Sequence, residues 1–127
     1  IAWITMHVLQ HFDQYAVTFQ CGSSAVDSAK FWVINTPPAV AEKSYPGRKE
    51  IFDTYQPVRA AAIDALVSAS NEDLMGKRCA PEEWPGNAVD AYVRAIYHTT
   101  MHLRQIWAVR GRMGLTCKDT MPHQLWA

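Results

Sequence analysis

The 127 residues carry twelve Lys and Arg against twelve Asp and Glu, so the formal net charge is zero and no basic face for a nucleic-acid backbone is expected. Nearly half of them (49%) are apolar, too many for a disordered chain, and the length suits one hydrophobic core and hence a single domain over 1–127. Three widely spaced cysteines, Cys21, Cys79 and Cys117, form no disulfide framework, and no apolar run reaches membrane-spanning length or resembles a signal peptide; a cytoplasmic protein away from membranes is the expectation.

Residues Ala2 to Gln20 read as a first helix that stops at Cys21-Gly22-Ser23-Ser24. Ile4, Val8, Phe12, Tyr15 and Phe19 form its apolar stripe, and His7 and His11 lie along the edge of that stripe. Ala25 to Ile34 reads as a short extra helix with Ser24 as its N-cap and Phe31 and Trp32 as packing residues. Pro37 and Pro38 open a connector to Gly47 that crosses between helices. The next helix is expected over Lys49 to Ala69, burying Ile51, Tyr55, Val58, Ala62, Ala65, Leu66 and Ala69. Pro57 inside it calls for a kink, or for a true start near Gln56. A polar loop then runs from Asn71 to Asn87, with Trp84 as a lid over a bundle end and a pocket residue.

Asn87 to Met113 reads as the longest helix and the one around which the chain is organised. Asp90, Arg94, Arg104 and Arg112 fall within an arc of roughly 80°, which leaves one narrow strip for water. Gly114 is the expected C-cap, followed by an irregular tail in which His123 and Trp126 fold back on the bundle. No segment reads as a strand. The expected fold is all-α, an up-down bundle of three main helices, a short extra helix and the tail.

Two features carry chemistry. His98 and His102 lie one turn apart on the buried side of the last helix, beside Ala91, Ala95 and Val109; such a pair suits neighbouring positions of one metal ion. His7 and His11 repeat the spacing, where five histidines scattered at random over the chain would give only about 0.15 such pairs. Gln105 is placed to orient His102, Asp13 and Gln10 to orient His7, and Tyr97 to serve as a proton donor at a pocket. Arg94, Arg104 and Arg110 are candidates for holding an anionic cofactor, and the three cysteines read as bystanders. A bis-histidine haem bundle is the other cofactor reading, without a c-type attachment signature.

The opening IAWITMHVLQHFDQY resembles the second helix of the DinB-like (DinB/YfiT) metal-binding bundles, in the spacing of Trp3, His7 and Asp13. HTTMHLRQIWAVRGRMGL is similar to that family's last helix, and NEDLMGKRCAPEEW to the loop before it. The resemblance implies a divalent metal, zinc or nickel, held by His7, His98 and His102, with His11 as the alternative to His7 or a residue lining the pocket. It also implies thiol-dependent S-transfer or isomerisation of a small-molecule substrate, with a low-molecular-weight thiol as cofactor. A further helix usually precedes the Ile-Ala-Trp segment in that family, and Ile1 is not an initiator Met, so a trimmed or partial chain is expected. An apolar groove left by such a missing helix would be closed by residues 25–34, by the tail or by a second copy, and a homodimer is the expectation. The alternative from another class is a non-catalytic helical module that binds a partner or assembles.

Overall fold

Residues 1–27, 45–76, 80–81 and 86–115 are described by the computed structural model, and all regular structure among them is helical. The first segment, α1 (Ala2–Asp13), passes without a break into a π-turn over Gln14–Thr18 and then into α2 (Phe19–Cys21). Gly22 ends the run at φ 81°, a left-handed conformation that glycine adopts without steric cost. The helix expected over Ala2 to Gln20 is therefore present, but its buried side chains differ from the single stripe. Met6, Leu9, Tyr15, Ala16, Val17 and Phe19 are buried, whereas Ile4 and Val8 are half-buried. The cause is position: this segment packs against α3 (Arg48–Ser68) on one side and α5 (Ala88–Arg112) on the other. A helix between two neighbours must bury two faces, and the wider turn re-aims the residues after Asp13 to do so. The organising element is thus the N-terminal helix.

Contacts along the helices give their directions. Met6 and Leu9 cluster with Val58, and Tyr15 and Ala16 with Ala62, so α3 runs parallel to α1. On the other side His7 meets His102, His11 meets His98 and Tyr15 lies under Arg94, so α5 runs antiparallel. Cys21 and Arg48 therefore sit at opposite ends of the bundle. Ala25 to Asp27, the start of the expected short helix, are not helical. The rest of that helix with Phe31 and Trp32, together with Pro37, Pro38, Trp84, Cys79, Cys117, His123 and Trp126, lies outside the described residues.

In α3, Pro57 lies inside an uninterrupted helix rather than at its start. It is exposed, as is Asp53, so water satisfies the carbonyl that a proline nitrogen leaves without a donor. The buried positions are Thr54, Val58 and Ala62, and the Thr54 hydroxyl is accommodated by donating to the Glu50 carbonyl at 2.8 Å. Tyr55 and Leu66, expected in the core, are 38% and 48% exposed. With α1 as its main neighbour, α3 has only a narrow face to bury.

The stretch after α3 holds a short helix, α4 (Asn71–Met75), where a polar loop was expected. Ser70 starts it with a reciprocal cap: the Asp73 amide donates to Ser70 Oγ at 3.1 Å and the Ser70 amide to Asp73 Oδ2 at 2.9 Å. Helix α5 opens in the same way, with Asn87 and Asp90 exchanging bonds of 3.0 and 2.8 Å, and closes at Met113 and a left-handed Gly114. A side chain at Gly86 would put its Cβ 2.5 Å from Asp90 Oδ2. Gly86→Ala is therefore expected to break this cap and lower stability by about 1 kcal/mol, read as a fall in Tm with the far-ultraviolet helix signal retained at low temperature.

The water-facing side of α5 is much wider than its charged arc. Val93, Ile96 and Tyr97 are 59%, 62% and 70% exposed. What α5 buries is His102 and a row of small residues, Ala88, Ala91 and Ala95, along which the N-terminal helix can approach closely. Among the described residues no helix is long and apolar enough to cross a membrane.

Candidate metal centre

Steps of four along α1 place Trp3, His7, His11 and Tyr15 on the face turned to α5, and steps of three and four along α5 place Ala91, Ala95, His98 and His102 opposite them. The alanines leave the space that four imidazoles then fill. Ring centroids are 4.4 Å apart for His98 and His102, 4.8 Å for His7 and His102, 5.1 Å for His7 and His98, and 4.2 Å for His11 and His98. One nitrogen from each of His7, His98 and His102 lies within 4.8 Å of the other two.

The closest approach decides what this cluster can do. His102 Nε2 and His98 Nε2 are 3.1 Å apart, and the other His102 nitrogen, Nδ1, is 2.7 Å from Gln105 Oε1. An amide oxygen can only accept, so His102 carries its proton on Nδ1 and turns the Nε2 lone pair toward His98. Two nitrogens bound at about 2.05 Å to a tetrahedral ion stand about 3.3 Å apart, so the observed pair already has nearly the spacing of bound ligands. Buried Nδ1 atoms of His7, His11 and His98 have no hydrogen-bond partner among the described residues. Gln105 thus orients His102, whereas these three rings have no such acceptor among the described residues.

Electrostatics keep these rings neutral. Burial, then the neighbouring His11 and His102, pushes His7 down to about 4. His98 is pushed down to about 4 by burial first and then by His11, His102, His7 and Arg94. His11 is lowered by burial, His102 and Arg94. At pH 7 the lone pairs are free for a metal, and binding needs to displace few protons.

The expected supporting residues divide. Gln105 is where the sequence placed it, bonded to His102. The bonds of Asp13 lead elsewhere: its buried carboxylate accepts from Ser24 Oγ at 2.5 Å, the Ala25 amide at 2.9 Å and Thr18 Oγ1 at 3.4 Å. It ties the chain after Gly22 back onto the helix, a tertiary role that spacing from His7 does not reveal. Gln10 Oε1 is buried without a hydrogen-bond partner among the described residues. Tyr97, one residue before His98 and so turned about 100° away, lines a separate groove of about 240 Å³ with Thr100, Met101 and Arg104. Arg94 covers the Tyr15 ring at 5.4 Å, and Trp84 lies outside the described residues. Cys21, exposed and free, lines another cavity of about 210 Å³ at the far end of the helix.

Two roles went unread in the sequence. Trp3 stacks on His7, centroids 4.9 Å apart and planes within 12°, and Tyr15 stacks on His11 at 5.7 Å and 18°. The signal available was the unbroken four-residue series of aromatic rings, 3-7-11-15. Both rings restrict how the histidines can turn. The donor set and the 3.1 Å approach of two of its nitrogens fit a divalent metal ion. Comparisons with family models, with curated proteins and with solved structures find no match for this chain.

Proposed function

We propose that this chain is a metal-dependent enzyme whose His7, His98 and His102 hold one divalent ion, zinc or nickel, and which activates a low-molecular-weight thiol for transfer to a small electrophilic substrate. The observation that carries the reading is the convergence of His98 Nε2 and His102 Nε2 at 3.1 Å with His7 across the interface. A three-imidazole set without a carboxylate suits late divalent metals and leaves a coordination position open, the hallmark of a catalytic rather than a structural site. An ion there supplies the Lewis acidity that keeps a bound thiol deprotonated at neutral pH. The chain's own contribution is to hold His7 and His98 neutral by burial, to fix the His102 tautomer through Gln105 and to orient His7 against Trp3. The likeness of the Ile-Ala-Trp and HxxxH segments to the DinB-like bundles supports the same chemistry.

The test is a titration of the cobalt-loaded protein with 2-mercaptoethanol, glutathione and other thiols. A sulfur-to-cobalt charge-transfer band that saturates with thiol supports the reading; a metal-loaded protein indifferent to every thiol removes the transferase part of it. Gln105→Ala is expected to weaken metal binding roughly 10- to 100-fold, because His102 then loses the bond that sets its tautomer and angle. Isothermal titration in the presence of a competing chelator reads that change.

A second reading rests on the uncovered side of α5. Val93, Ile96 and Tyr97 form an exposed apolar strip, which favours an assembly module or a homodimer. Sedimentation of the parent and an Ile96→Asp variant is expected to show a dimer in the first and monomer in the second. A monomeric parent at all concentrations removes this reading.

A further inference from the structure

The centre described above uses three of four histidines that meet between α1 and α5. His11 is the remaining one, and its surroundings do not match those of an ordinary core or surface histidine. Its ring lies 4.2 Å from His98 and 4.6 Å from His7, centroid to centroid. Its Nδ1 is buried with no hydrogen-bond partner among the described residues, and Tyr15 stacks on its ring. A histidine placed for packing would donate Nδ1–H to a carbonyl or carboxylate. The carboxylate nearest in sequence, Asp13, is instead bonded to Ser24, Ala25 and Thr18.

We propose that His11 is a fourth protein ligand of the same ion, so that the resting centre is a four-histidine site built from two i, i+4 pairs, one on each facing helix. This rests on the reading that His7, His98 and His102 hold a metal. The His11 ring stands beside His98 and His7, the side from which it would approach an ion held by the other three. His11 stands outside the group whose nitrogens lie within 4.8 Å of one another, so it joins the roughly 3.3 Å spacing of a tetrahedral ion only by turning its side chain toward the other three. Four imidazoles and no carboxylate favour zinc, nickel or copper over magnesium, calcium or manganese.

A fourth ligand also changes how a small molecule enters. With His11 bound, a thiol must either displace it or add as a fifth ligand, so His11 governs access to the ion while the other three keep it in place.

The deciding measurement is X-ray absorption on the cobalt-loaded full chain, joined to metal titrations of the parent, His11→Ala and His11→Gln. Four nitrogen neighbours in the parent, with the strong visible bands of tetrahedral cobalt, are the expected result. Both variants are expected to keep close to one equivalent at an affinity about 100-fold lower, to show three nitrogens with oxygen in the fourth place, and to bind azide more tightly than the parent. Three imidazole nitrogens in the parent overturn the proposal and leave the three-histidine centre standing, with no variant needed to decide it. Unchanged affinity and spectra in folded variants, checked by circular dichroism, overturn it in the same way. A parent that takes up no cobalt overturns both readings, which separates that failure from the others.

Discussion

Loaded with zinc or nickel and freed of excess ion, the parent chain is expected to retain close to one equivalent, and a His98→Ala/His102→Ala variant almost none. The size of the effect follows from the ligand count. Structural zinc sites of four protein ligands are worth about 10–16 kcal/mol at neutral pH, or roughly 3 kcal/mol per ligand. Removing two therefore costs about 6 kcal/mol, a loss of affinity of about 10⁴-fold. Mass spectrometry of metal content reads this directly, and thermal unfolding reads it a second way. Ion at about 100 times Kd stabilises the parent by about 2.7 kcal/mol, enough to raise Tm by about 10 °C in a chain of this size, and leaves the variant unmoved. The metal-free variant should still fold, because it loses His98 with its orphaned nitrogen and one of the rings that crowd His7. Equal metal content in the two proteins, or none in the parent after incubation with both ions, would sink the metal reading.

The legible parts of this molecule are those written in local chemistry. The Asn87 and Gly114 boundaries of α5 were legible from the run of helical residues and the glycine after it, and the structure secures them with a capping box and a left-handed glycine, both set by residues within one turn. The facing of His98 and His102 toward the core followed from their share of the Ala91 and Ala95 stripe. Ser70 and Asp73 carried the same capping signal and were passed over, because the helix they start is only Asn71–Met75.

What periodicity could not give is how many neighbours each helix has. Apolar residues nearly all round α5 suggested burial nearly all round, yet among the described residues it packs only against the N-terminal helix and α4, and Val93, Ile96 and Tyr97 stay in water. For α1 the error ran the other way: one stripe was expected of a helix with a partner on each side. The π-turn at Gln14–Thr18 and the bonds of Asp13 to Ser24 and Ala25, eleven and twelve residues away, have no local signature in the sequence.

Acid is expected to destabilise the metal-free protein through its histidines, in a window set by their displaced protonation. His7 and His98 titrate at 6.5 when unfolded and are pushed down to about 4 in the fold. Between those values the unfolded chain binds more protons than the native one, so stability is full above pH 6.5 and falls as pH drops toward 4. Below about 4 both states are protonated at these groups and they cost nothing further. A fully enclosed group shifted this far would lose about 3.4 kcal/mol across the window. Both rings are partly open to solvent and are coupled to each other, so the pair together should lose roughly 2–4 kcal/mol. Thermal unfolding with chelator present is then expected to show Tm lower by about 10 °C at pH 4.5 than at pH 7. The capping carboxylate of Asp73, held below 3.8 by its bonds to Ser70, titrates beneath this window and does not mimic the effect. The double variant, which lacks one of the shifted groups and relieves the other, should lose less than half as much. An equal fall in both proteins would assign the acid sensitivity to groups other than the histidine cluster.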